Sequence, residues 1–336
     1  MSIATSPNKN QEKNVLQSFT QLSDIFEEKF SRRHFPEDPQ QLYDASQYLL
    51  TVRGKRIRPV MCLMANEMFE KINEDSFAVA FAIELFHNFT LIHDDIMDRA
   101  PLRRGMETVH TKYGESTALL AGDVVLITAY ENLNRINNKY LHSILNLFNS
   151  TAKKVCEGQQ LDMEFEMQQQ VSFDDYVKMI GLKTSVLLAA SLQMGAILGG
   201  AGLGNQDNLY EFGKNLGIAF QIQDDYLDAF GDPQKFGKKP GGDIMANKKT
   251  FLWLRALEAA SSQQKNKLSE LLLRNDENKI EEMLQVYKSC NIDDWAKELK
   301  QKYFALAMRH LEEIAVVSAR KKPLSQLAEY LMDRDV

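Results

Sequence analysis

Leu91-Ile92-His93-Asp94-Asp95-Ile96-Met97-Asp98-Arg99-Ala100-Pro101-Leu102-Arg103-Arg104 is the stretch on which both the fold and the chemistry turn. A largely apolar run, Phe81 to Ile92, leads into three carboxylates, and two arginines follow. On a helix, Asp94 and Asp98 lie one turn apart on the same face, where like charges repel. A cation held between them relieves that repulsion. Hard oxygen ligands favour Mg2+, which keeps several waters and completes its shell with substrate phosphate oxygens. Arg103 and Arg104 suit the same phosphate, because a guanidinium fork binds it bidentately.

The pattern recurs in Phe220-Gln221-Ile222-Gln223-Asp224-Asp225-Tyr226-Leu227-Asp228. Asp224, Asp225 and Asp228 repeat the spacing of Asp94, Asp95 and Asp98, again after an apolar helical stretch, Leu216 to Ile222. A single acidic triplet is most often a solvated helix face. Two triplets at one spacing, each closing an apolar helix and each followed by cationic residues, point to metal and phosphate chemistry.

Outward from these motifs the chain reads as all-α. Apolar residues recur at three- and four-residue spacing, few windows alternate strictly, and only 8 of 336 residues are proline. Residues 1–12 are polar and read as a flexible N-terminus, with 13–336 as a single all-α domain. Helices are expected over Leu16–Phe30, Asp38–Thr51, Pro59–Phe69, Ser76–Asp98, 115–136, His142–Gln168 and Asn208–Phe230. About four more are expected beyond residue 250. A net charge of -6 argues against a nucleic-acid binder, so an anionic substrate has to be attracted locally. Cys62, Cys156 and Cys290 are few and far apart, as in a reducing compartment. With no apolar signal core and no apolar run near the roughly 20 residues that span a bilayer, a cytoplasmic protein that does not span a membrane is expected.

Three further stretches carry chemistry. Arg53-Gly54-Lys55-Arg56-Ile57-Arg58-Pro59 puts cations at a helix start, the wrong end for positive charge unless an anion binds there. Ser172-Phe173-Asp174-Asp175 has the form of an N-cap. Behind it Lys183 lies in the apolar stretch Met179 to Leu188, where an unpaired ammonium is costly to bury and a bound diphosphate would satisfy it. Phe236-Gly237-Lys238-Lys239-Pro240-Gly241-Gly242-Asp243-Ile244 is a Gly- and Lys-rich loop suited to phosphate.

The two aspartate-rich motifs, with Gly54-Lys55-Arg56-Ile57-Arg58-Pro59 upstream and Phe236-Gly237-Lys238 downstream, resemble the trans-isoprenyl diphosphate synthases, the family of farnesyl and geranylgeranyl diphosphate synthases. The resemblance runs over residues 40–260. It implies an isoprenoid-synthase-type helical bundle around a central cavity and a homodimer. It implies condensation of isopentenyl diphosphate with an allylic diphosphate by ionisation, condensation and elimination, aided by about three Mg2+ ions.

In that family Lys55, Arg58, His87 and Arg104 correspond to isopentenyl diphosphate contacts, and Arg103, Lys183, Lys238 and Lys248 to allylic diphosphate contacts. The spacing between Lys238 and Lys248 is not fixed in the family, so Lys239 and Lys249 are alternatives. Thr184 and Gln221 correspond to residues whose oxygen dipoles stabilise a carbocation. Asp94, Asp98 and Asp224 are expected as direct metal ligands, and Asp95, Asp225 and Asp228 as groups that orient metal waters. Asp123, in Gly122-Asp123, is expected to be structural, and Gln159 and Asp162, in Gly158-Gln159-Gln160-Leu161-Asp162, are expected to line or brace the cavity.

Product length in the family depends on the residues four and five before the first aspartate, here Thr90 and Phe89, with Phe86 one turn earlier. One aromatic beside a smaller residue resembles enzymes that stop at geranylgeranyl diphosphate; farnesyl diphosphate is the alternative. A terpene cyclase would ordinarily replace the second acidic motif, and a non-catalytic partner subunit would lose one; this chain keeps both.

Overall fold

A computed structural model describes residues 9–52, 54–168, 170–231, 240–276 and 278–333. Arg53 and residues 232–239, which include Lys238 and Lys239, lie outside them. The helices are α1 (Lys9–Phe30), α2 (Gln40–Thr51), α3 (Ile57–Glu67), α4 (Glu74–Met97), α5 (Val109–Tyr113), α6 (Glu115–Leu133), α7 (Asn138–Met167) and α8 (Phe173–Ile180). They continue with α9 (Val186–Leu198), α10 (Leu203–Phe230), α11 (Gly242–Met245), α12 (Phe251–Ala259), α13 (Ser262–Leu272), α14 (Asn278–Ser289), α15 (Ile292–Glu312) and α16 (Ser318–Met332). Among the described residues the only sheet is a hairpin of two-residue strands, β1 (Leu102–Arg103) and β2 (Met106–Glu107). The all-α expectation holds. Among the described residues five helices follow residue 250, where about four were expected.

The chain groups into two compact units. The first comprises Met1–Ser150, Ala190–Tyr210 and Ile314–Leu327. In it α4 packs along α6 and against α3. Its entry is fixed by a capping box, in which Asn73 accepts the Ser76 N–H while the Ser76 hydroxyl accepts the Asn73 N–H. From Phe77 to Ile92 α4 is largely apolar, as suits a core helix, with Ile83, Leu85, Phe86 and Ile92 buried.

The second unit comprises Thr151–Ala189, Glu211–Glu313 and Ala328–Val336. Tyr176, Ile222, Phe251, Trp253, Tyr287 and Ile292 belong to its apolar core. Ser172 and Asp175 form the capping box of α8, at the expected cap. Between α8 and α9 the helix does not continue in α form. Gly181–Ser185 is a π turn, and the Val186 N–H reaches back five residues to the Gly181 carbonyl. Two glycines accompany it. A Cβ at Gly158 of α7 would collide with the Lys183 backbone, and one at Gly217 of α10 would lie 2.8 Å from Ser185 Cα. Only bare backbone lets α7 and α10 approach the turn this closely.

One expectation is corrected. Two helical stretches, Glu74–Met97 and Phe173–Leu198, are long and apolar enough to cross a membrane by length and composition. Most of each is buried within the protein, as in core helices.

Candidate active site

The first unit carries the first acidic motif at the C-terminal end of α4. Asp98 is the residue that caps the helix, its N–H donating to the Asp94 carbonyl at 2.8 Å. The last turn of α4 holds no basic residue. Carboxylates there face the negative end of the helix dipole as well as each other, an arrangement that a bound cation stabilises. Asp98 is exposed and Asp94 partly so, whereas Asp95 is only 1% exposed. Arg103 reaches Asp95 from the hairpin, its Nε 2.8 and 2.9 Å from the two carboxylate oxygens and its Nη2 2.7 Å from Oδ1. Asp95 is therefore an anchor for Arg103. The hairpin turns through Arg104 and Gly105, both with positive φ, the turn type that suits two-residue hairpins.

α3 begins at the basic stretch. Arg56 precedes it in the left-handed conformation, with φ 49° and ψ 30°, and is buried. Its guanidinium donates to Glu84 Oε1 at 2.5 Å, to Glu27 at 2.9 Å and to the Leu50 carbonyl at 3.2 Å, and lies over the Phe30 ring. Glu84 is also buried and accepts from Asn88. This network settles Arg56 as structural and sets the backbone from which Lys55 and Arg58 depart. Lys55 is exposed. Arg58 Nη1 lies 3.3 Å from His87 Nε2. Guanidinium only donates, so His87 is the acceptor and holds its proton on Nδ1. Burial, and then the charges of Arg58, Arg104, Arg103 and Arg56, keep His87 far below the usual histidine range. His87, Asp94 and Asp98 are spaced seven and four residues apart along α4 and its cap, which puts the imidazole that meets Arg58 and two carboxylates along one stripe of one helix.

The second acidic motif ends α10, again with no basic residue in the last turn. Asp225 is buried and accepts from Tyr176 OH at 2.5 Å and from Gln221 Nε2 at 2.8 Å. Burial, with the charges of Asp243 and Asp224, raises its carboxyl to about 7 against the pull of those two bonds. Asp224 is exposed. Asp228 accepts the Asp243 N–H at 2.9 Å, and burial and Asp243 push its carboxyl up. Thr184 Oγ1 donates to Gln221 Oε1 at 3.2 Å.

The cations behave less uniformly than the sequence suggests. Lys183 is not left unpaired: its ammonium lies 2.5 Å from Asp162. Lys248 sits 3.4 Å from Asp243. Lys249 caps α7, donating to the Phe165 carbonyl at 2.6 Å and to the carbonyls of Glu166 and Gln168. Its ammonium is thus engaged by backbone carbonyls at the end of α7. Gln159 is buried, and neither of its amide atoms is hydrogen-bonded among the described residues. Sequence reasoning missed Tyr176, Asp243 and Glu84 altogether. Only Glu84 left a signal, a lone acid inside an apolar helix that had to be paired.

The donors of each unit suit Mg2+ by type: Asp94 and Asp98 in the first unit, and Asp224 in the second, offer hard oxygens. Among the described residues no three His, Cys, Asp or Glu side chains form a ready metal cage. An ion that keeps waters and takes the rest of its shell from phosphate needs none.

Known proteins agree with this chemistry. Residues 39–290 match the Polyprenyl synthetase family. A short chain isoprenyl diphosphate synthase of Methanothermobacter thermautotrophicus is 35% identical over 96% of this chain and 99% of its own. A geranylgeranyl diphosphate synthase of Methanosarcina mazei is 37% identical over 88% and 91%. A crystal structure of a geranylgeranyl pyrophosphate synthase superposes with a TM-score of 0.89 at 40% identity, covering 94% of this chain and 98% of that one. The chain belongs to the polyprenyl synthetase family of all-α prenyltransferases, whose members join isopentenyl diphosphate to allylic diphosphates with divalent metal.

Proposed function

We propose that this prenyltransferase is a short-chain synthase whose main product is geranylgeranyl diphosphate, with dimethylallyl, geranyl or farnesyl diphosphate as primer. The observation that carries the reading is the single stripe of α4 on which neutral His87, joined to Arg58, is followed by Asp94 and Asp98. One helix thereby offers contacts for a diphosphate and for a metal.

Asp94, Asp98 and Asp224 are the proposed direct ligands of about three Mg2+ ions, which when bound offset charge on the leaving pyrophosphate. Asp95 holds Arg103 in place; Asp225 and Asp228 orient. Arg103, Lys183, Lys238 and Lys248 bind the allylic diphosphate, and Lys55, Arg58, His87 and Arg104 bind isopentenyl diphosphate. Neutral His87 bears its proton on Nδ1 and adds no charge to the four arginines. Thr184 and Gln221 turn oxygen dipoles toward the allylic carbon as its bond to oxygen breaks. The motifs offer no obvious Glu or His base for the final proton loss, and the departing pyrophosphate is the proposed acceptor.

A homodimer completes the proposal. Leu119, Leu120, Ile127 and Tyr130 leave an exposed apolar stripe on α6, 50, 55, 58 and 36% exposed respectively, the kind of patch a second copy covers. Light scattering of the wild type and of Ile127→Glu tests it, with a dimer that dissociates in the variant as the expected result.

The function is tested by incubating purified protein with Mg2+, isopentenyl diphosphate and each primer, and separating products by mass. A dominant twenty-carbon diphosphate supports the proposal. A fifteen-carbon stop overturns the product and keeps the reaction. A cyclised hydrocarbon, or no Mg2+-dependent turnover with any primer, overturns the reaction.

A further inference from the structure

The second unit contains a hydrogen-bond chain with a fixed direction: Tyr176 OH to Asp225 Oδ2 at 2.5 Å, Gln221 Nε2 to Asp225 Oδ1 at 2.8 Å, and Thr184 Oγ1 to Gln221 Oε1 at 3.2 Å. Asp225 is the pivot. Its Oδ2 takes the Tyr176 hydroxyl and its Oδ1 takes the Gln221 amide nitrogen, so the amide is turned with its nitrogen toward Asp225. That leaves Oε1 facing Thr184, whose single hydroxyl proton is then spent on Gln221. The Thr184 lone pairs are left for whatever lies on its other side. The far end of the chain is buried. Tyr176 is 2% exposed, its ring lies 5.9 Å from that of Phe251, and it sits one turn before the π segment that carries Thr184.

We infer that Tyr176 is a positioning residue for prenyl transfer: by anchoring Asp225 it sets the direction of the chain, so that Gln221 and Thr184 present oxygen lone pairs, not protons, to a cationic carbon. The inference rests on the prenyltransferase reading and extends it to a residue that touches neither substrate. Without the Tyr176 hydroxyl, Asp225 loses its fixed donor and is free to turn. The Gln221 amide can then flip, and a flipped amide points N–H groups where the cation needs oxygens.

The test combines kinetics with binding. Tyr176→Phe, Thr184→Val and the double variant are compared for kcat and for KM of both diphosphates. Calorimetry then measures the binding, with inorganic pyrophosphate, of a tertiary-ammonium analogue of the allylic cation and of its neutral carbon isostere. Tyr176→Phe is expected to lower kcat about tenfold while both KM values stay within about threefold. The preference for the charged analogue falls by a similar factor, a readout that a purely structural tyrosine would not move. Because the effect passes through Thr184, the double variant should be no slower than Thr184→Val alone. An unchanged kcat and analogue preference in Tyr176→Phe, or losses that multiply in the double variant, overturns the inference. Should Tyr176→Phe fail to fold, Gln221→Met cuts the same chain one link later and is read in the same cycle, where multiplying losses again overturn it. A wild type without turnover overturns the prenyltransferase reading itself, and this inference with it.

Discussion

Gly158 of α7 lies so close to Lys183 that a Cβ at position 158 would stand 2.7 Å from both Lys183 Cα and Leu182 C. These are backbone atoms of the π turn that carries Lys183 and Thr184, so they yield only if the turn moves. Single-turn π segments are frequently found at functional sites. Here the cause is local: α7 and α10 each bring a glycine against the turn, and the wider turn fits between them.

Gly158→Ala is accordingly expected to be harmful despite the better helix propensity of alanine. Overpacking costs about 1–3 kcal/mol, more than the roughly 1 kcal/mol that alanine gains over glycine in a helix. The displaced turn should lower kcat more than stability alone explains. Thermal melts and kinetics check this together, and a variant with wild-type turnover would show that the turn's position is not critical.

The Arg56–Glu84 pair sets a second expectation. Both partners are buried, and the pair holds Arg56 in a left-handed backbone that a side chain seldom adopts. Removing one partner of such a pair strands a charge. Glu84→Gln should therefore cost about 3 kcal/mol in urea unfolding. Glu27→Gln, whose carboxylate is partly in water, should cost no more than about 1–2 kcal/mol. The affected backbone presents Lys55 and Arg58, so Glu84→Gln should also raise KM for isopentenyl diphosphate more than for the allylic substrate. Equal costs for the two variants would remove Glu84 as the anchor.

His87 predicts a pH dependence of stability. Its folded value lies well below 6.5, so under acid the unfolded chain takes up a proton that the folded chain refuses. Stability from this group is fully present above about pH 6.5 and is lost as pH falls, by about 1.4 kcal/mol per pH unit while only the unfolded state is charged. Partly buried His34, also lowered by desolvation, adds in the same direction. Asp225, raised from 3.8 to about 7, works the other way across that window, because the folded state holds its proton longer. The comparison of wild type with His87→Asn isolates the histidine. Denaturation at pH 5 and pH 7 should show a shallower loss on acidification in the variant; parallel losses would mean that His87 is charged in the folded protein.

The parts of the site that were legible in the sequence are those written locally. Ser172 and Asp175 announce a helix start three residues apart, and each acidic triplet sits at the end of an apolar run, so the helix end and the charge can be read together. What could not be read depends on partners far along the chain. Lys183 looked unpaired because Asp162 lies twenty-one residues away on another helix. Lys249 looked like a phosphate ligand because nothing nearby names the end of α7 as its target. The π turn leaves no trace in apolar periodicity, since its cause is the absence of a Cβ on two other helices. The hairpin at 102–107 is too short for alternation to register, and only Arg104-Gly105 hints at its turn.

The aromatic residues of α4 give the last prediction. Phe89 is partly buried, its ring 4.6 Å from that of His93 and 5.7 Å from that of Phe86. Phe86 is 1% exposed and meets Phe148 edge-on at 5.2 Å. Thr90 donates its hydroxyl to the His87 carbonyl at 2.8 Å, which leaves its methyl as the only free part of a small side chain. Phe86 is thus locked into the core, and Phe86→Ala should chiefly cost stability, about 3–5 kcal/mol. Phe89 is the bulky group with room to act as a stop for a growing chain. Phe89→Ala and Phe89→Ser should lengthen the product by one or more isoprene units, read by mass after incubation with isopentenyl diphosphate and farnesyl diphosphate, with little change in kcat for the first condensation. Filling of a packed cavity is sensitive to single methylene groups, so removal of a whole ring has ample effect if the ring is the stop. A product spectrum identical to wild type in both variants would remove Phe89 from that role and leave the limit to residues elsewhere in the chain.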